Sequence, residues 1–248
     1  MTDFMTFLMV SIMAGLVATS FGGLFVFLFK EAHSRKFDLA NGFAAGLMLA
    51  ASIFSLLLPG LEMGGVEEVL IGYLIGMFFV LMLKDRVHVF YYKLTGESPD
   101  PTLTKALIIF AAITLHNMPE GMAVGIAFAS GSLALGLEVA LAIGIQNIPE
   151  GFAVSIPLIA TGKISKKKGF GLAVLSGLVE PINGIIAYIA VLCIKGLLPY
   201  MFGFCAGAMM FVVINEMIPE SQHGEYFDKS TLAILFGFLL MFLLDILL

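Results

Sequence analysis

Charge is what this chain is shortest of. Only 12 % of its 248 residues are Asp, Glu, Lys or Arg, where a soluble domain carries about 25 %. Hydrophobic residues make up 60 %, and mean hydropathy is +1.03. A water-exposed globule is thereby excluded, and a polytopic membrane protein remains. The formal net charge of −5 carries no message about nucleic acid. No nucleic-acid partner is expected, because the basic residues sit in short loops.

Cysteine and histidine are scarce too. Cys193 and Cys205 are the two cysteines, and both lie in or near apolar stretches. They read as small buried hydrophobes rather than as a disulfide. Of four histidines, His116 alone falls in the middle of an apolar run, and there is no His-Glu-x-x-His. A catalytic zinc takes three protein ligands, often several of them histidine, plus an activated water. An intramembrane metal-dependent hydrolase is therefore a poor match. No basic start with a short apolar core opens the chain, so the first run reads as a retained span rather than a cleaved signal.

Apolar length is what the chain has in quantity. Eight stretches come near the ~20 residues that a helix needs to cross hydrocarbon. They run about 5–29, 39–60, 67–84, 103–129, 133–160, 169–194, 199–219 and 230–247. The expected fold is an all-α integral membrane protein, with residues 1–248 forming a single transmembrane domain in the lipid bilayer. Lys195 excepted, all of the 13 Lys and Arg residues fall in or beside the odd-numbered loops. The positive-inside rule then puts those loops in the cytoplasm and both termini outside. The first outer loop carries Glu62, Glu67 and Glu68, which suits a surface that gathers cations.

Small residues mark where helices can pack closely: Gly15, Gly22 and Gly23 in the first span, Gly42 and Gly46 in the second. The second span also places Met48, Ser52 and Ser55 near its middle. The serines are expected to bond their own helix backbone. Asp245, close to the end of the last span, reads as interfacial solvation. His88, in the long third loop, reads as a solvated surface residue. The stretch from Thr95 to Asp100 is rich in turn formers.

Two polar hexapeptides interrupt this apolar background. One is His116-Asn117-Met118-Pro119-Glu120-Gly121, and 30 residues further on comes Gln146-Asn147-Ile148-Pro149-Glu150-Gly151. A charged side chain at a helix centre costs roughly 2.5 to 3.5 kcal/mol or more. His116 and Glu120 are i, i+4 and share a helix face, joined by Asn117; Gln146, Asn147 and Glu150 repeat the pattern. Pro119 and Pro149 loosen the carbonyls four residues earlier. The link near Ser130-Gly131-Ser132 is very short, so the two helices are antiparallel neighbours and bring both motifs to one depth. Glu180-Pro181 adds a third carboxylate at mid-depth, with Asn183 one turn on.

Three carboxylates in one bundle call for a compensating cation. One imidazole with carboxylate and amide oxygens suits Zn²⁺, Fe²⁺, Mn²⁺ or Cd²⁺. A monovalent ion needs less, and three carboxylates could bridge two divalent ions. A thioether such as Met48 is a soft ligand if it lies beside the site, and a packing residue otherwise.

The paired motif, with Glu180-Pro181 in the sixth span, resembles the ZIP (Zrt/Irt-like) metal transporters, and within them the bacterial GufA-type branch. The resemblance covers the whole chain. It implies an importer of divalent cations into the cytoplasm, with zinc first and cadmium, iron and manganese beside it, and no organic cofactor. It implies a midplane binuclear site. One metal would take His116, Glu120, Gln146 and Glu150, with Glu180 and Met48. The other would take Asn117, Asn147 and the shared Glu120, Glu150 and Glu180. It further implies a 3+2+3 inverted repeat, elevator-like movement of spans 1, 4, 5 and 6 against spans 2, 3, 7 and 8, homodimers, and a bacterial inner membrane. Sequence leaves a selective channel open as the alternative to a carrier. Two departures stand out. Gln146 occupies a place where most of the family has His, and the His-rich loop between spans 3 and 4 is missing. Glu216, with His223 nearby, marks a candidate exit site.

Overall fold

The structure is a computed structural model, which describes residues 4–28, 34–95, 101–194, 196–222 and 227–247. Among these residues the chain is helical and holds no strand. Helix α1 runs Phe4–Phe27, α2 contains Asp38–Met63, α3 is Val66–Thr95 and α4 Pro101–Ala129. Then come α5 Leu133–Ala160, α6 Lys166–Cys193, α7 Leu198–Ser221 and α8 Phe227–Leu247. Among the described residues, seven stretches, on α1 to α3 and α5 to α8, are long and apolar enough to cross a membrane by length and composition. Beside them α4 is 29 residues long.

Helix α3 differs from expectation. It runs 30 residues to Thr95, through the basic stretch that the sequence reading placed in a loop. Leaving hydrocarbon is no reason for a helix to end, since its internal hydrogen bonds persist in water. No Pro lies within it, and no Gly falls between Gly76 and Gly96.

Three rods contain a widened π turn: Met13–Val17 in α1, Ser52–Leu57 in α2 and Val213–Met217 in α7. In α2 and α7 a proline follows at once, Pro59 and Pro219. A proline ring displaces the carbonyl four residues earlier, here Ser55 and Asn215, and removes one N–H donor. The wider turn absorbs both effects. Pro119 and Pro181, by contrast, sit inside continuous helices.

The rods pack in pairs: α3 along α7, α2 along α8, α4 along α6 and α1 along α5. Glycine makes each approach close. A Cβ on Gly207 would fall on the Tyr73 carbonyl, one on Gly237 on the Phe43 carbonyl, one on Gly121 on the Glu180 carbonyl, and one on Gly151 on the Thr19 carbonyl. The last two are the final residues of the hexapeptides, so the Gly of each Pro-Glu-Gly lets a second helix backbone reach the motif. Within the largest apolar cluster, Phe7 stacks on Tyr188 with ring centroids 4.7 Å apart and touches Phe128 at 5.8 Å. Both cysteines are free thiols; Cys205 is buried as expected, whereas Cys193, at the last position of α6, is exposed.

Candidate metal site

The site begins with a tight reversal. Gly131 takes φ +88° between α4 and α5, a region that Gly enters without steric cost. The Ser132 hydroxyl then caps α5 by accepting the Leu135 N–H at 3.2 Å. The two motif helices leave this turn antiparallel, and their polar residues meet. The Gln146 Nε2 donates to Glu120 Oε1 at 2.7 Å, and His116 Nε2 lies 4.0 Å from Glu150 Oε1.

Helix α6 brings Glu180 to the same place. Asn147 Nδ2 donates to Glu180 Oε2 at 2.8 Å and to Oε1 at 3.0 Å, and Thr19 Oγ1 donates to Oε1 at 3.4 Å. The same Asn147 amide donates to the Ala14 carbonyl at 2.8 Å. The π turn of α1 explains why that carbonyl is free. In an α-helix it would receive the Ala18 N–H; here that N–H goes to Met13 and Gly15 instead. Gly15 has its own reason, because a Cβ there would lie 2.8 Å from Glu180 Cβ and 2.9 Å from its Oε2.

Asn117 faces α6 as well. Its Nδ2 donates to Ser176 Oγ at 3.2 Å, and its side chain also faces the Glu150 carboxylate. The Ser176 hydroxyl lies 3.2 Å from that of Thr114, whose own O–H bonds the Phe110 carbonyl at 2.8 Å.

Burial is nearly complete. His116, Asn117, Glu120, Gln146, Asn147, Glu150 and Glu180 are each at most 3 % exposed. Even so, several of their polar atoms have no protein partner: both ring nitrogens of His116, Oδ1 of Asn117 and Asn147, Oε1 of Gln146, Oε2 of Glu120 and Oε1 of Glu150. Buried polar atoms are rarely left so, since each costs on the order of 1–3 kcal/mol. The unpartnered set is one imidazole, two carboxylates and three amide oxygens, the chemistry of an N/O site for a divalent transition metal. Among the described residues no group of three or more His, Cys, Asp and Glu is arranged to hold an ion by itself. An ion held here would need the amide oxygens as well.

Other sequence candidates fare differently. Met48 is buried in the apolar cluster with Ala14, Ala123 and Ile143. Glu216 lies half-buried in the π turn of α7. His223, Lys195 and the side chain of His88 lie outside the described residues. Asn183 bonds its own helix at the Val179 carbonyl. Ser52 also bonds its own helix, at Met48, but Ser55 corrects the expectation. Its hydroxyl meets Asp245 Oδ1 at 3.4 Å rather than the backbone, because the π turn swings it toward α8. Asp245 is thus tied into the bundle, facing Ser55 and Glu138, and is not merely solvated.

Sequence reading missed Ala14, Thr19, Thr114 and Ser176. Ser176 had a signal, since it stands one turn before Glu180 on the same face. Thr114 stands one turn before Asn117 in the same way. Ala14 had none, because a backbone carbonyl is freed by helix winding, not by residue type.

A family model described as ZIP Zinc transporter matches residues 95–245, more than half of the chain. Zinc transporter GufA of Myxococcus xanthus is 36 % identical over 248 aligned residues, covering 96 % of this chain and 97 % of that protein. Zinc transporter ZIPB of Bordetella bronchiseptica is 37 % identical over 242, covering 94 % and 78 %. Zinc transporter ZupT of Chlorobaculum parvum is 32 % identical over 240, covering 87 % and 88 %. The chain belongs to the ZIP family. It is a multi-pass membrane protein of a transporter family, not an enzyme. The matched region of the ZIP model contains both hexapeptides and Glu180.

Proposed function

We propose that this ZIP-family chain carries divalent transition-metal cations into the cytoplasm, Zn²⁺ first, with Cd²⁺, Fe²⁺ and Mn²⁺ as further cargo. The observation that carries the reading is the set of buried, unpartnered donor atoms on the two hexapeptides. The cargo ion is what those atoms lack. His116, Glu120, Gln146 and Glu150 are the donors for one ion. Asn117 and Asn147, with Glu120, Glu150 and Glu180 shared, are the donors for a second. Met48 stands as an additional soft donor, and Glu216 with His223 as an exit station.

The architecture proposed is eight spans within one domain, 1–248, in a 3+2+3 inverted repeat with both termini outside, in a bacterial inner membrane and as a homodimer. Support for the repeat comes from the packing pairs. Exchanging α1 with α6, α2 with α7, α3 with α8 and α4 with α5 maps α3–α7 onto α8–α2 and α1–α5 onto α6–α4. The π turns before Pro59 and Pro219 correspond under the same exchange. An elevator-like carrier is favoured over a channel because the seven polar side chains are sealed from solvent. A channel would show them to a continuous pore. A carrier must close over its ion and let go, which suits donors that converge without yet forming a tight cage.

The test is uptake of radiolabelled Zn²⁺ into proteoliposomes holding wild-type protein or Glu150→Ala at matched amounts. Saturable uptake by the wild type and none by the variant is the expected result. Equal uptake by both would refute the site.

A further inference from the structure

A chain of hydroxyls behind Asn117 has no part in the donor set, yet its proton count is fixed. A hydroxyl has one hydrogen to give. Thr114 gives its hydrogen to the Phe110 carbonyl at 2.8 Å, the shorter of its two contacts. The hydrogen between Thr114 and Ser176 must then come from Ser176. With its only proton committed, Ser176 Oγ can accept from Asn117 and cannot donate to it. The Asn117 atom 3.2 Å away is therefore the amide nitrogen, and the amide oxygen is turned elsewhere, buried and unpartnered.

We infer that Ser176, held by Thr114, is a positioning residue that fixes which end of the Asn117 amide is offered to the cation. The inference rests on the transport reading above and deepens it. Reversed, the amide would present N–H groups to a positive ion, exchanging an attraction for a repulsion. Asn117 also faces the Glu150 carboxylate, but a bound cation competes for those lone pairs. Ser176 is fully buried on α6 and its bond is not contested. Asn147 needs no relay, because its nitrogen faces the Ala14 carbonyl and the Glu180 carboxylate, both acceptors only.

The experiment is Zn²⁺ uptake into proteoliposomes over a concentration series, with KM and Vmax separated, for wild type, Ser176→Ala, Thr114→Val and Ser176→Thr. Outer partners of metal ligands carry about 10- to 100-fold in affinity. Ser176→Ala is expected to raise KM about 10-fold with Vmax per folded molecule held, and Ser176→Thr, which keeps the hydroxyl, to restore it. Thr114→Val removes the acceptor for the Ser176 proton without changing side-chain shape. It raises KM in the same direction and carries the test if Ser176→Ala does not fold. An unmoved KM in folded Ser176→Ala or Thr114→Val overturns the relay while leaving the transport reading intact. Absence of saturable uptake by the wild type overturns the transport reading and the relay with it.

Discussion

Alanine at position 15 would add one methyl group to α1 at the point where Glu180 arrives from α6. Its Cβ would lie 2.8 Å from Glu180 Cβ and 2.9 Å from Oε2, where ordinary contact begins at 3.4 Å. Glu180 must therefore withdraw by about 0.6 Å. The nearer atom is Cβ, fixed to the α6 backbone, so a change of rotamer cannot relieve the whole overlap. Withdrawal would stretch the 2.8 Å bond from Asn147 to Oε2, and the Thr19 contact at 3.4 Å has no slack to give. Ligand distances at a metal site hold to about 0.2 Å, and a working constellation tolerates about 0.5 Å. A shift of this size should lower Zn²⁺ uptake on the order of 10-fold. The fold should survive, because overpacking costs about 1–3 kcal/mol and alanine in place of glycine returns about 1 kcal/mol of helix propensity. The assay is uptake in proteoliposomes beside thermal unfolding of the purified protein. Gly171→Ala on α6 is the control, since a Cβ there meets nothing within 4 Å. If folded Gly15→Ala transports like Gly171→Ala, the close fit of α1 against Glu180 has no bearing on the site.

Two further outcomes are expected beside the Glu150 and Ser176 tests. Asn147→Asp sets a carboxylate oxygen against the Ala14 carbonyl and the Glu180 carboxylate, acceptor against acceptor. It should destabilise the protein by about 1–3 kcal/mol or more, read as a lower Tm; an unchanged Tm would show that the Asn147 bonds contribute nothing. An impermeant maleimide added outside intact cells should label exposed Cys193 and leave buried Cys205 untouched. Labelling of Cys193 only after the membrane is opened would reverse the proposed orientation.

The hexapeptides were legible in the sequence because the bilayer penalises polar groups so heavily that each one stands out against an apolar run. Helical spacing then put His116 with Glu120 and Gln146 with Glu150 on shared faces, and a three-residue link made α4 and α5 neighbours. These are local facts, and residue order carries them. What tertiary structure decided is which atoms meet across helices. Glu180 reached Asn147 through the close glycine approaches of α4 to α6, of α1 to α5 and of α1 to α6. Ser55 turned from its own backbone to Asp245 because a π turn changed its heading. The Ala14 carbonyl became an acceptor because the same kind of turn redirected one N–H. Winding and helix approach are settled by all the packed neighbours together, and no single stretch of the chain encodes them.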